Sequence, residues 1–130
     1  MSKVIIWKGF WTEKEVNEHP TWLFIYGDND IKRGKGGQAI IRYCTNSVGI
    51  PTKKIPNNVP SSYYTDDDYD LNILKIDKAI KHIQELSNKY EKIIFPENGF
   101  GTGLAKLASK APKTNSYLNE KITELMKYLS

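Results

Sequence analysis

Two apolar runs constrain this chain more than any other feature. Thr21-Trp22-Leu23-Phe24-Ile25-Tyr26 and Lys92-Ile93-Ile94-Phe95 show no polar alternation. Strands that read as continuous apolar segments are buried on both faces, so a sheet built from them needs helices on either side. Each run breaks into a glycine-rich stretch, residues 27–37 after the first and 99–103 after the second. Ligands of open α/β sheets bind beyond the carboxyl ends of strands. The two junctions are therefore where a binding site is expected.

The elements around these strands fit that scheme. Residues 3–7 read as a short strand. Thr12-Glu13-Lys14-Glu15 has the capping-box form, predicting a short helix that stops before Pro20. Residues 36–43 read as a helix entered through glycines, and 47–54 as a strand interrupted at Pro51. Residues 55–70 form a long polar loop. Ile76, Ile80, Ile83, Leu86 and Tyr90 recur at helical spacing and predict a helix over 71–90. Residues 102–110 read as another helix. Thr114 is expected to cap a last one, with Leu118, Ile122, Leu125 and Leu129 on its apolar stripe. Strands alternating with helices define an α/β fold. We expect three layers, with a mixed β-sheet flanked by helices, in a single domain spanning residues 1–130.

Charge and cysteine usage narrow the function. The net charge is +4, and of 19 basic residues only Arg33 and Arg42 are arginine. Duplex binders concentrate basic residues on one face and use arginine to read bases, so duplex nucleic acid is not an expected partner. The densest basic segments, Lys32-Arg33 with Lys35 and then Lys53-Lys54, lie near the first glycine stretch and suit a compact anion. No apolar run approaches the roughly 18 residues that span a bilayer, and a soluble, cytoplasmic protein is expected. Cys44, the one cysteine, reads as a buried structural thiol. His19 and His82 read as structural, and Trp7, Trp11 and Trp22 as core.

The glycine stretches carry the chemistry. Gly34, Gly36 and Gly37 let backbone N–H groups approach phosphate oxygens, with Lys35 and Gln38 as side-chain donors. Gly99, Phe100, Gly101, Thr102 and Gly103 form a second loop of the same kind. A P-loop needs four residues between Gly and Gly-Lys, then Ser or Thr; here Gly36 follows Lys35, and that reading fails. Gly34-x-Gly36-x-x-Ala39 formally matches the dinucleotide fingerprint, but no acidic residue stands about 20 positions later. Asp66-Asp67-Asp68-x-Asp70 lacks the central Gly and final Glu of a calcium loop. No metal or cofactor is expected. Tyr63, Tyr64 and Tyr69 are candidates to stack on a base.

The order of these features resembles the macro domains. A strand ending in an Asn-containing turn, followed by Gly36-Gly37-x-Ala39, is similar to their first binding loop. Phe95-Pro96 followed by Gly101-Thr102-Gly103 is similar to their second. The resemblance runs from Leu23 to Ala108, although Gly27-Asp28-Asn29-Asp30 stands where typical members read Asn-Ala-Ala-Asn. It implies a macro-like fold and an ADP-ribose-like or other adenine nucleotide ligand, a signalling nucleotide included. It places Asn29 at the distal ribose, Gly36 and Gly37 along the ribose and phosphate path, and residues 99–103 around the diphosphate. Some macro domains hydrolyse ADP-ribose conjugates or a terminal phosphate; Asp28 or Asp30 would then orient the water. No acid–base pair or nucleophile–base dyad is recognisable, so binding without catalysis is the preferred expectation. The composition suits a phage or bacterial accessory protein.

Overall fold

The computed structural model describes residues 2–130. Four strands, β1 (Val4–Trp7), β2 (Trp22–Asn29), β3 (Ser47–Lys53) and β4 (Lys92–Pro96), form one sheet in the order β1-β4-β2-β3. The helices are α1 (Glu13–Asn17), α2 (Tyr69–Ser87), α3 (Leu107–Lys110) and α4 (Pro112–Leu129). All three strand pairings are parallel, which corrects the expected mixed sheet. The reason is connectivity: each strand reaches the next through a helical crossover, and such connections yield parallel neighbours. The antiparallel contact described is an isolated bridge between Lys53 and Tyr63.

Both sheet faces are covered, as the unalternating strands require. Leu23, Ile25, Ile50, Ile93 and Phe95 pack against Ile76, Ile80 and Ile83 of α2 and Leu118, Leu125 and Leu129 of α4. On the other face Phe24, Tyr26 and Ile94 pack against Trp11, Val16 of α1, Ala39 and Ile41. Trp7 and Trp22 are partly buried there. The predicted capping box of α1 is present, with the Thr12 hydroxyl accepting from Glu15 N–H and the Glu15 carboxylate accepting from Thr12 N–H.

Several boundaries differ from expectation. β2 does not end at Gly27 but runs to Asn29, because its pairing with β3 continues through a bulge between Asp28 and Asn29. Pro51 does not interrupt β3, an edge strand in which a missing N–H leaves no ladder bond broken. The helix expected over 36–43 is a 3₁₀ turn, Gly37–Ile41. The one expected over 102–110 is confined to α3, because Lys106 adopts a left-handed conformation (φ 47°). Thr114 lies inside α4 rather than capping it. The cap comes from Asp66, whose carboxylate accepts from Lys113 N–H (2.9 Å), Thr114 N–H (3.0 Å) and the Thr114 hydroxyl (3.0 Å). Burial opposes ionisation of Asp66, yet these bonds hold its pKa below the usual 3.8. The segment 55–70 contains two 3₁₀ turns, Pro60–Ser62 and Asp66–Asp68.

Candidate ligand-binding site

The sheet order creates an opening. β2 and β4 are neighbours, yet β2 leads into the 3₁₀ turn on one face and β4 into α3 and α4 on the other. Adjacent strands whose outgoing chains part to opposite faces leave a crevice between them, the usual ligand position in α/β sheets. A cavity of about 700 Å³ lies there. Chain following each of the four strands contributes to it: residues 9–11 after β1, 33–39 after β2, 56–58 after β3, and 97–98 with 101–105 after β4. Its volume falls inside the roughly 300–1,000 Å³ typical of small-molecule sites.

The structure brings both glycine loops to this cavity. Gly34, Lys35, Gly36, Gly37 and Gln38 line it from one side, and Gly101, Thr102 and Gly103 from the other. Gln38 joins the two. Its Oε1 accepts from Gly27 N–H (2.7 Å) and its Nε2 donates to the Gly99 carbonyl (2.8 Å). Gln38 thus acts as a strut rather than a free donor. Lys35 pairs with Glu13 of α1.

Other expected site residues sit elsewhere. Gly99 does not line the cavity; its carbonyl takes the Gln38 bond. Phe100 is 2% exposed and packs edge-on against Phe95 in the core, so it cannot wrap a diphosphate. Asn29 borders the cavity, but its amide is used within the loop, donating from Nδ2 to the Arg33 carbonyl (2.7 Å). Asp28 also borders it. Its side chain, 6% exposed, is paired with Arg42 (5% exposed) at 2.6 Å. Gly49 makes this pairing possible, because a Cβ there would stand 2.7 Å from the Asp28 side chain. Asp30 lies outside the lining, where its carboxylate accepts from the Tyr64 hydroxyl (2.5 Å) and from Lys75 Nζ (2.7 Å).

The buried tyrosines reflect these charges. Burial, then the Asp28 carboxylate, pushes the Tyr26 hydroxyl up to about 12, against the pull of Arg42. Burial and the bond to Asp30 raise Tyr64 further. Tyr63 and Tyr64 are core residues, and Tyr69 packs edge-on against Tyr117. None of the three lines the cavity, which removes them as base-stacking candidates. Arg42 is drawn down by burial and raised by Asp28, with the pair prevailing. Cys44 is buried and its thiol is pushed up by burial, as a structural thiol should be.

Phe10, Thr52, Lys53, Glu97 and Leu104 also line the cavity, and of these side chains only Lys53 was expected near an anion. Phe10 stands at its rim 94% exposed. Glu97 accepts from Gly9 N–H at 3.0 Å. The run Lys53-Lys54 was the one legible signal among these; the rest come from strand ends that only the sheet order brings together.

The fold and cavity define an α/β protein with a cleft at the carboxyl end of a four-stranded parallel sheet. The chain belongs to a family described as "Family of unknown function (DUF7831)", whose model matches residues 6–121. No curated protein and no solved structure matches it. Among the described residues, no group of three His, Cys, Asp or Glu side chains is placed to hold a metal ion, and no helix is long and apolar enough to cross a membrane.

Proposed function

We propose that this protein is a macro-domain-like binder of ADP-ribose or a related adenine nucleotide, and that it holds the ligand without cleaving it. The observation that carries this reading is the meeting of two glycine-rich loops across one crevice, tied together by Gln38. At Gly37 and Gly103, both in the cavity lining, an added Cβ would meet nothing within 4 Å, and such open backbone suits a diphosphate, while the exposed ring of Phe10 offers a face to a base. A crevice of this size fits a compact ligand rather than duplex nucleic acid. Binding without turnover is favoured because Asp28 and Asp30 both have committed partners. A cytoplasmic location is part of the proposal and rests on the single buried thiol of Cys44.

Isothermal titration with ADP-ribose and ADP tests the premise: saturable binding is expected, and no heat with either would sink it. Chromatography of ADP-ribose after long incubation should return it intact. A second reading, an ADP-ribosyl hydrolase or ADP-ribose phosphate phosphatase, is favoured by Glu97 alone, a cavity carboxylate with no ion pair among the described residues. Product formation that disappears in Glu97→Gln would establish it.

A further inference from the structure

Lys53 is a cation in an unusual setting. It ends β3, lines the cavity and is only 7% exposed. Its Nζ makes no hydrogen bond or ion pair among the described residues, in contrast to Lys35, Lys54, Lys75 and Lys121, each of which has a carboxylate partner. What it does touch is the face of Tyr63, 4.9 Å from the ring centroid. Lys110 of α3 lies over the same ring at 5.1 Å. Two ammonium groups thus share one phenol ring, and neither is neutralised.

The stem of Lys53 is buried while its ammonium keeps an accessible surface, so the Tyr63 face and solvent, rather than a counter-ion, carry the charge. Of the carboxylates in the lining, Asp28 is paired with Arg42, and Glu97 accepts from Gly9 N–H and forms no ion pair with Lys53. Position gives the arrangement its meaning. Thr52, immediately before Lys53, stands beside Gly101: a Cβ on that glycine would lie 3.4 Å from Thr52 Cβ. Lys110 belongs to the helix that the second glycine loop enters. The Lys53–Tyr63–Lys110 cluster therefore flanks the loop whose open backbone suits phosphate oxygens.

We propose that Lys53, supported by Lys110 across the Tyr63 ring, is the cationic grip of the cleft and pairs with the phosphates of a diphosphate-bearing ligand. The backbone of the second loop supplies neutral donors, and Lys53 supplies the charge. This assignment rests on the nucleotide-binding reading for the identity of the ligand, but not for its anionic chemistry. Inorganic pyrophosphate separates the two.

The experiment measures binding of ADP-ribose and of inorganic pyrophosphate to the wild-type chain, Lys53→Met, Lys53→Arg and Lys110→Met, with the melting temperature of each variant recorded first. Lys53→Met is expected to weaken whichever of the two ligands binds at least tenfold, Lys53→Arg to restore most of that, and Lys110→Met to lose about threefold. Raising the salt concentration should weaken the wild type more than Lys53→Met. Pyrophosphate binding that depends on Lys53, with neither ADP-ribose nor ADP binding, would keep this proposal and overturn the nucleotide reading. Equal affinity in a folded Lys53→Met would overturn the proposal and leave the nucleotide reading standing. Failure of pyrophosphate, ADP-ribose and ADP all to bind the wild type would overturn both.

Discussion

The two glycine loops have similar composition but are held in shape by different means. The first is fixed by side chains. Arg42 donates from Nε to the Gly34 carbonyl (2.8 Å) and from a guanidinium nitrogen to the Arg33 carbonyl (3.2 Å), while the same guanidinium pairs with Asp28. Asn29 closes the loop from the other side. The second loop is fixed mainly by its own backbone. Gly99 N–H reaches the Pro96 carbonyl, Lys106 N–H the Gly103 carbonyl, and Leu107 N–H the Gly101 carbonyl at 2.9 Å. At Gly101, φ is +74°, and a Cβ would meet Leu107 Cβ at 2.8 Å. One loop therefore depends on residues that are present, and the other on a side chain that is absent.

The sharpest way to break this contrast is at Arg42. Arg42→Met leaves the Asp28 carboxylate buried without its partner, a change worth about 3–5 kcal/mol. Urea unfolding should show that loss, and a wild-type midpoint would remove the ion pair from the account of the first loop. Gly101→Ala forces both contact and strain, and is expected to destabilise by about 1–3 kcal/mol with a parallel fall in ligand affinity. Gln38→Leu touches both loops at once. It strands Gly27 N–H and the Gly99 carbonyl and should lose about 1–3 kcal/mol.

Asp66 tests stability away from the loops. Asp66→Asn weakens the remote cap of α4, with an expected loss of about 1 kcal/mol. Because its pKa is held below 3.8 in the fold, the carboxylate's contribution is complete at neutral pH. It is lost as the pH falls below 3.8, so the gap between wild type and variant should close there in thermal melts. The smallest stability change belongs to Gly103→Ala. A Cβ at Gly103 meets nothing within 4 Å, so stability should stay within about 0.5 kcal/mol while affinity falls. An unchanged affinity would take Gly103 out of the phosphate path.

Local pattern carried much of the architecture. The continuous apolar strands foretold a sheet covered on both faces, and the spacing of Ile76, Ile80 and Ile83 foretold α2. Thr12 and Glu15 foretold the capping box. The parallel sheet was not read, because strand direction depends on crossovers rather than on any one segment. Lys106 hid the true start of α3: a left-handed lysine leaves no mark in the sequence around it. The site was legible in its glycines but not in its carboxylates. Asp28 and Arg42 are 14 positions apart and meet only because the 3₁₀ turn folds back over β2. Asp66 reaches α4 across more than 40 residues, and Tyr63 and Tyr64, read as base-stacking candidates in a polar loop, are core residues.

The strut at Gln38 has a chemical consequence. Its amide faces a donor at Gly27 and an acceptor at Gly99, so its two ends are not interchangeable. Slow deamidation would exchange one nitrogen for oxygen and set a carboxylate against the Gly99 carbonyl. A mass change of about one dalton, small enough to escape notice in a purified sample, would turn the tie between the loops into a repulsion. A carboxylate at position 38 would hold the two loops apart where the amide holds them together.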